Sequence, residues 1–213
     1  WDKVTTNPNE TISNYAELQT LIDIINKTPD NEFLKKISTI VDMDNLLRWY
    51  MHSLLSGSDH QDWAHNIRLY FDPTLGKFQF IPWDVGVARL ADWNGIDLHY
   101  NPLISRLLAN PEFVQKRNQM LWEYVKDDKN IDDDMAFYDR VFNEVRGAFY
   151  QDRATEYSPQ YFDARSAEYR SFIKENFKYI RDYLKRAKAE VRLTMNTPAF
   201  AVPLTVDVLT SNP

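Results

Sequence analysis

At 213 residues, 44% of them apolar and 14% aromatic, the chain is able to bury a sizeable core, which excludes a disordered polypeptide. A net charge of −6 and a pI near 5.3 exclude a broad nucleic-acid footprint, and the absence of cysteine excludes disulfides, thiolate metal sites and cysteine nucleophiles. No apolar run of about eighteen residues offers a membrane-spanning helix; no signal peptide is recognisable, and the start at Trp1 rather than Met reads as a processed chain.

Residues 1–13 are polar, carry a turn-forming Asn-Pro and read as a connector. Leu18, Leu21, Ile22 and Ile25 then recur at three- and four-residue spacing, which predicts a helix over 14–26. Pro29 breaks it, and a short helix is expected near 30–38. Asp42 has the place of an N-cap for a helix over 43–55 that Gly57 terminates. Residues 67–72 (IRLYFD) and 77–82 (KFQFIP) alternate or run apolar around Pro73-Thr74-Leu75-Gly76, the pattern of a β-hairpin. A long loop is expected over 87–100, then helices at 101–109, 111–127, 131–151 and 163–190. Asp132, Asp133 and Asp134 fall in a first turn, where the helix dipole favours negative charge. The Pro-interrupted tail, 195–213, reads as a strand or the start of a linker.

The stretch around the hairpin carries the chemistry. Asp59, Asp62, Asn66 and Asp84 all stand just outside regular structure, where a hard cation or a proton transfer needs oxygen ligands, and where ordinary turn residues also occur. The order of helix, polar loop with Asp and Asn, hairpin and Asp84-Val85-Gly86 matches the C-terminal lobe of protein kinases. There, a base Asp and a metal-binding Asn precede the hairpin, and a D-F-G triplet follows it. The spacing departs from H-R-D-x-x-x-x-N: Asp62 stands four residues before Asn66, and Asp59 seven. No Gly-rich phosphate loop and no V-A-I-K strand occur in a chain that has only five glycines.

"DWAHNIRLYFDPTLGKFQFIPWD" (62–84) resembles the signature of the CotH family, the spore-coat protein H kinase-like proteins: an Asn, an aromatic strand, a Gly-Lys turn and a P-W-D triplet after a Phe-bearing strand. The flanks "VDMDNLLRWYMHSLLSG" (41–57) and "NPLISRLLANPEFVQKR" (101–117) resemble the family too, so the likeness covers about residues 40–120. The resemblance implies an atypical, secreted or surface-associated protein kinase that uses ATP with Mg²⁺ or Mn²⁺, Ca²⁺ being an alternative. It implies Asn66 and Asp84 as metal and nucleotide ligands and Asp62 as the catalytic-loop carboxylate, with Asp59 favoured instead if the alignment is anchored on Gly57. Where the family often has a second acid two residues after the P-W-D aspartate, this chain has Gly86. The nucleotide-binding N-terminal lobe is not recognisable in residues 1–40.

Other residues have plainer readings beside functional ones. Asp72 precedes Pro73 and reads as a turn residue. His60 and His65 flank Asp62, but two histidines without a third ligand fit satisfied loop residues better than zinc. Trp63 and Trp83 suit either core packing or stacking on a base. Arg68 is expected to pair with a loop carboxylate or to contact the nucleotide. Ser53, Ser56 and Ser58 lack a G-x-S-x-G setting, and Asp59 with Asp62 makes a poor glycosidase pair.

The expected fold is therefore mainly α with a small β-hairpin (α+β), an atypical protein-kinase-like C-terminal lobe over 14–194. Its expected function is phosphoryl transfer from ATP to Ser/Thr of a coat or surface protein, outside the cell, at its surface or in a spore coat. The competing reading is a non-catalytic interaction module on the same scaffold.

Overall fold

The early leucine and isoleucine periodicity corresponds to three helices, α1 (Ala16–Lys27), α2 (Asp30–Ile40) and α3 (Met43–Ser56). They are followed by the hairpin strands β1 (Arg68–Asp72) and β2 (Lys77–Ile81), a 3₁₀ turn at Leu90–Asp92, and α4 (Pro102–Leu108), α5 (Pro111–Val125), α6 (Lys129–Gln151) and α7 (Pro159–Lys185). A second antiparallel pair, β3 (Ala189–Leu193) and β4 (Val206–Thr210), completes the order. This computed structural model describes residues 14–58, 60, 66–92, 95–97 and 101–186 together with the backbone of those last two strands. The chain is mainly helical with a small antiparallel hairpin, as its pattern predicts.

The described residues form two compact units. The first contains α1, α2, α3 as far as Ser53, the β1–β2 hairpin and α4. Its core is the buried faces of these elements: Leu21, Phe33, Ile37, Leu46, Tyr50, Phe78, Phe80, Ile104 and Leu107. Removing a Leu, Ile or Phe side chain of this kind from water stabilises the fold by roughly 1.5–3 kcal/mol. Arg106 of α4 ties the α1–α2 corner together. Its guanidinium donates to the carbonyls of Ile25 (2.5 Å) and Thr28 (2.6 Å), pairs with Asp30 at 2.7 Å and lies 3.9 Å from the centre of the Phe33 ring. The last carbonyls of α1, which have no intrahelical donor, are thereby satisfied.

The second unit contains the end of α3, the 3₁₀ turn, most of α5, and α6, α7 and the β3–β4 pair. Leu54, Leu90, Ile96, Leu121, Val125, Ile131, Met135, Phe177, Ile180 and Leu184 are buried. Within it one amide does unusual work for a helix interior. Buried Asn176 accepts from the Leu90 N–H (2.6 Å) and donates to the carbonyls of Ala88 (2.8 Å) and Leu55 (3.2 Å). Gly57 ends α3 at φ +71°, and a Cβ there would run into the Ala88 carbonyl oxygen and the Asn176 amide. Both the backbone angle and the close approach require glycine.

Three helices start with one grammar. Asn101-Pro102, Asn110-Pro111 and Ser158-Pro159 each put a capping oxygen before a proline in the first turn, where the missing N–H loses nothing. Asp42 caps α3 as expected, accepting from Asn45 N–H at 3.1 Å. The helix predicted over 163–190 differs at both ends: it begins four residues earlier, at the Ser158-Pro159 cap, and ends at Lys185. Residues 189–193 (AEVRL) alternate apolar and polar positions and form β3, so a period of two replaces the helical one there. The expected connector, 1–13, lies outside the described residues.

Candidate functional site

The hairpin is closed at one end by an ordinary turn. Asp72 accepts from the N–H groups of Thr74 (2.8 Å) and Leu75 (3.3 Å), and Gly76 stands at φ +64°. Asp72 is thus the turn residue that its place before Pro73 predicts.

The hairpin is anchored along its outer edge. The Asp42 N–H donates to the Phe78 carbonyl at 2.9 Å, Val41 bridges Phe78 in parallel, and the Phe80 N–H donates to Asn45 Oδ1 at 2.6 Å. These bonds satisfy β2 backbone groups that an edge strand would otherwise leave bare. Trp49 packs its ring 5.0 Å from Phe80 beneath the strand. The register, Arg68 opposite Ile81 through Asp72 opposite Lys77, then fixes which residues meet at the open end.

Asn66 lies just before β1 and Asp84 just after β2, and the structure brings them together. Asn66 Nδ2 donates to Asp84 Oδ2 at 2.7 Å. Both residues are left-handed, Asn66 at φ +60° and Asp84 at φ +48°, the only described non-glycine residues at positive φ. Asn and Asp are the side chains that tolerate this region best, and held away from regular structure they mark strain that clusters at ligand sites. A carboxylate beside an amide is a hard-oxygen donor set. A half-turn of the Asn66 amide exchanges Nδ2 for Oδ1, so the same pair is able to offer two oxygens to a small divalent cation. Among the described residues, no three or more His, Asp or Glu side chains gather into a cluster.

His60 is the residue whose place the pattern understated. Its Nδ1 lies 3.1 Å from the Asp84 carbonyl oxygen and 3.6 Å from Asp84 Oδ2. Asp84 is therefore held through its backbone by His60 and through its carboxylate by Asn66. The H-x-D spacing of His60 to Asp62 is visible in the sequence, but nothing there shows that the ring reaches a residue 24 positions on.

The Arg68 guanidinium lies 4.5 Å from the centre of the Trp83 ring. Strand alternation sends the Arg68 side chain to the face where Trp83 emerges, and the ring offers the cation a π surface. Trp83 is 50% exposed, which removes core packing as its role. Asp59, Asp62, Trp63 and His65 lie outside the described residues.

The matches to known proteins cover more of the chain than its motifs do. Residues 2–186 match the model of the CotH kinase protein family. Inner spore coat protein H of Bacillus subtilis (strain 168) is 27% identical over an alignment of 184 positions that covers 78% of this chain and 48% of that protein. The chain thus spans about half the length of the curated relative it matches.

Proposed function

Because the chain belongs to the CotH kinase protein family, we propose that the protein of which it is part transfers phosphoryl groups from ATP to Ser or Thr of a spore-coat or surface protein. The observation that carries this reading is the contact between Asn66 and Asp84, two strained oxygen-bearing side chains at the open end of an anchored hairpin. Their donor chemistry fits Mg²⁺ or Mn²⁺, and Ca²⁺ as the looser alternative. Bound there, such a cation would supply charge neutralisation for the nucleotide phosphates.

The residues have separable tasks. Asn66 and Asp84 hold the cation, and His60 holds Asp84. The acceptor hydroxyl forms the new O–P bond as the bond to ADP breaks, and its proton passes to a carboxylate, Asp62 or Asp59. Arg68, fixed on Trp83, supplies a positive charge near the anionic nucleotide. The similarity to a spore coat protein supports a coat or surface location.

Gly86, in the place where the family often has a second acid, favours one other reading, a coat-interaction module that has kept the scaffold without the chemistry. The deciding experiment incubates the complete protein with radiolabelled ATP, Mn²⁺ and spore-coat extract. Label in Ser or Thr that is lost with Asp84→Asn and Asn66→Ala supports the kinase. No transfer by the native protein overturns it and leaves the module.

A further inference from the structure

We infer that α6 is a homodimerisation helix, pairing antiparallel with α6 of a second copy of this chain. The inference is independent of the kinase reading and rests on the second unit alone. Phe137, Val141 and Val145 stand one helical turn apart and are 60%, 37% and 46% exposed. They form one wall of an apolar groove that continues over Phe142 and, on α7, Phe162 and Tyr169. Isolated exposed apolar residues are unremarkable, but a continuous stripe along a helix is what a partner helix covers.

The charges beside the stripe identify the occupant. The other arginines of this helix pair are committed: Arg146 to Asp163, Arg165 to Glu168, Arg170 to Asp139 and Arg181 to Asp128. Among the described residues, Arg140 and Glu144 enter no ion pair, and Arg140 only overlies the Phe137 ring at 5.0 Å. They do not pair with each other, although one turn separates them, and Arg before Glu is the weaker order along a helix. A two-fold axis near residue 142, with the helices antiparallel, sets Arg140 of each copy beside Glu144 of the other. One surface thus provides both halves of two ion pairs, the self-complementarity that an isologous contact requires. The rim has both signs, whereas a membrane surface would call for a run of basic residues.

Gly147 agrees with this register. A glycine inside a helix is disfavoured against alanine, and among the described residues no atom outside its own helix backbone lies within 4 Å of its missing Cβ to account for it. About the same axis it lies level with Phe137 of the other copy, where the lack of a side chain leaves room for the ring. With 23 residues, α6 is about 35 Å long, enough to carry a helix–helix interface along its whole stripe.

Sedimentation velocity across a concentration series tests the pairing. The native chain should dimerise reversibly. Arg140→Glu should weaken the dimer at least tenfold, and Arg140→Glu with Glu144→Arg should restore it, since tenfold corresponds to about 1.4 kcal/mol of lost attraction and added repulsion. The chain has no cysteine, so Val141→Cys reports contact between copies directly: it should form a disulfide-linked dimer on mild oxidation, and Lys178→Cys on α7 should not. Circular dichroism checks that each variant is folded. A monomer at every concentration overturns the inference. So does a dimer indifferent to Val141→Glu, or an Arg140→Glu loss that the exchange fails to repair.

Discussion

Asp84 concentrates three demands on one residue: a carboxylate oxygen facing Asn66, a carbonyl facing His60, and a left-handed backbone. Asp84→Asn keeps the backbone tolerance and removes the charge. It should leave the melting temperature within a degree or two and lower Mn²⁺–ATP affinity at least tenfold, about 1.4 kcal/mol; isothermal titration of the complete protein measures this. Asp62→Asn should spare that affinity and lower turnover by about 10²–10⁴, the usual contribution of a general base. If Asp59→Asn has that effect instead, the base is Asp59. His60→Ala should weaken Mn²⁺ binding a few-fold, and His60→Asn should recover it, because the Asn amide nitrogen is able to occupy the place of Nδ1. A protein in which none of these changes alters binding or turnover has a structural hairpin and no metal site. Arg68 and Trp83 illustrate what one sequence hides: strand alternation shows only that both lie near the hairpin, and the seating of the guanidinium over the ring needs three dimensions.

Elements were legible wherever a local signal decides them. Leu21 stands in the helical repeat of Leu18, Leu21, Ile22 and Ile25 and is buried, and Asp42 and Gly57 bound α3 as cap and stop. The start of α7 was also written locally, in Ser158-Pro159, but the apolar period becomes clear only further on, which moved the expected start to 163. Arg106 was not legible at all, because its partners are carbonyls of Ile25 and Thr28, about eighty residues away, and a carbonyl leaves no mark in a sequence. These features carry different predictions. Replacing Asn101, Asn110 or Ser158 by Ala should destabilise by about 1 kcal/mol each, the usual worth of an N-cap. Arg106→Lys keeps the charge but loses the fork, and should destabilise by about 1–3 kcal/mol by leaving α1 carbonyls unsatisfied. Gly57→Ala should exceed about 2 kcal/mol, because strain and overlap add. Urea denaturation of the purified variants ranks all of them.

At the scale of the molecule, acid should act on the second unit through its α6–α7 ion pairs. Hydrogen bonds from the Arg170 guanidinium hold the Asp139 carboxyl below its ordinary value, and those from Tyr150 and Arg146 do the same for Asp163. A carboxyl with a lowered folded pKa binds its proton less readily folded than unfolded. Its contribution is therefore complete above the ordinary carboxylate value and is lost as pH falls below it. Melting temperature should hold steady near neutrality and drop below about pH 4, with Asp139→Asn and Asp163→Asn flattening the drop. The site residues lead to another consequence, one for evolution. At φ +60° and +48° the backbone of Asn66 and Asp84 would be most comfortable as glycine. Asp84→Gly should therefore melt higher than the native protein while losing the cation. If Asn66 and Asp84 hold the proposed cation, a descendant freed from catalysis should be drawn toward glycine at both positions by stability alone, with Asn and Asp kept only in lineages that still use the ligand.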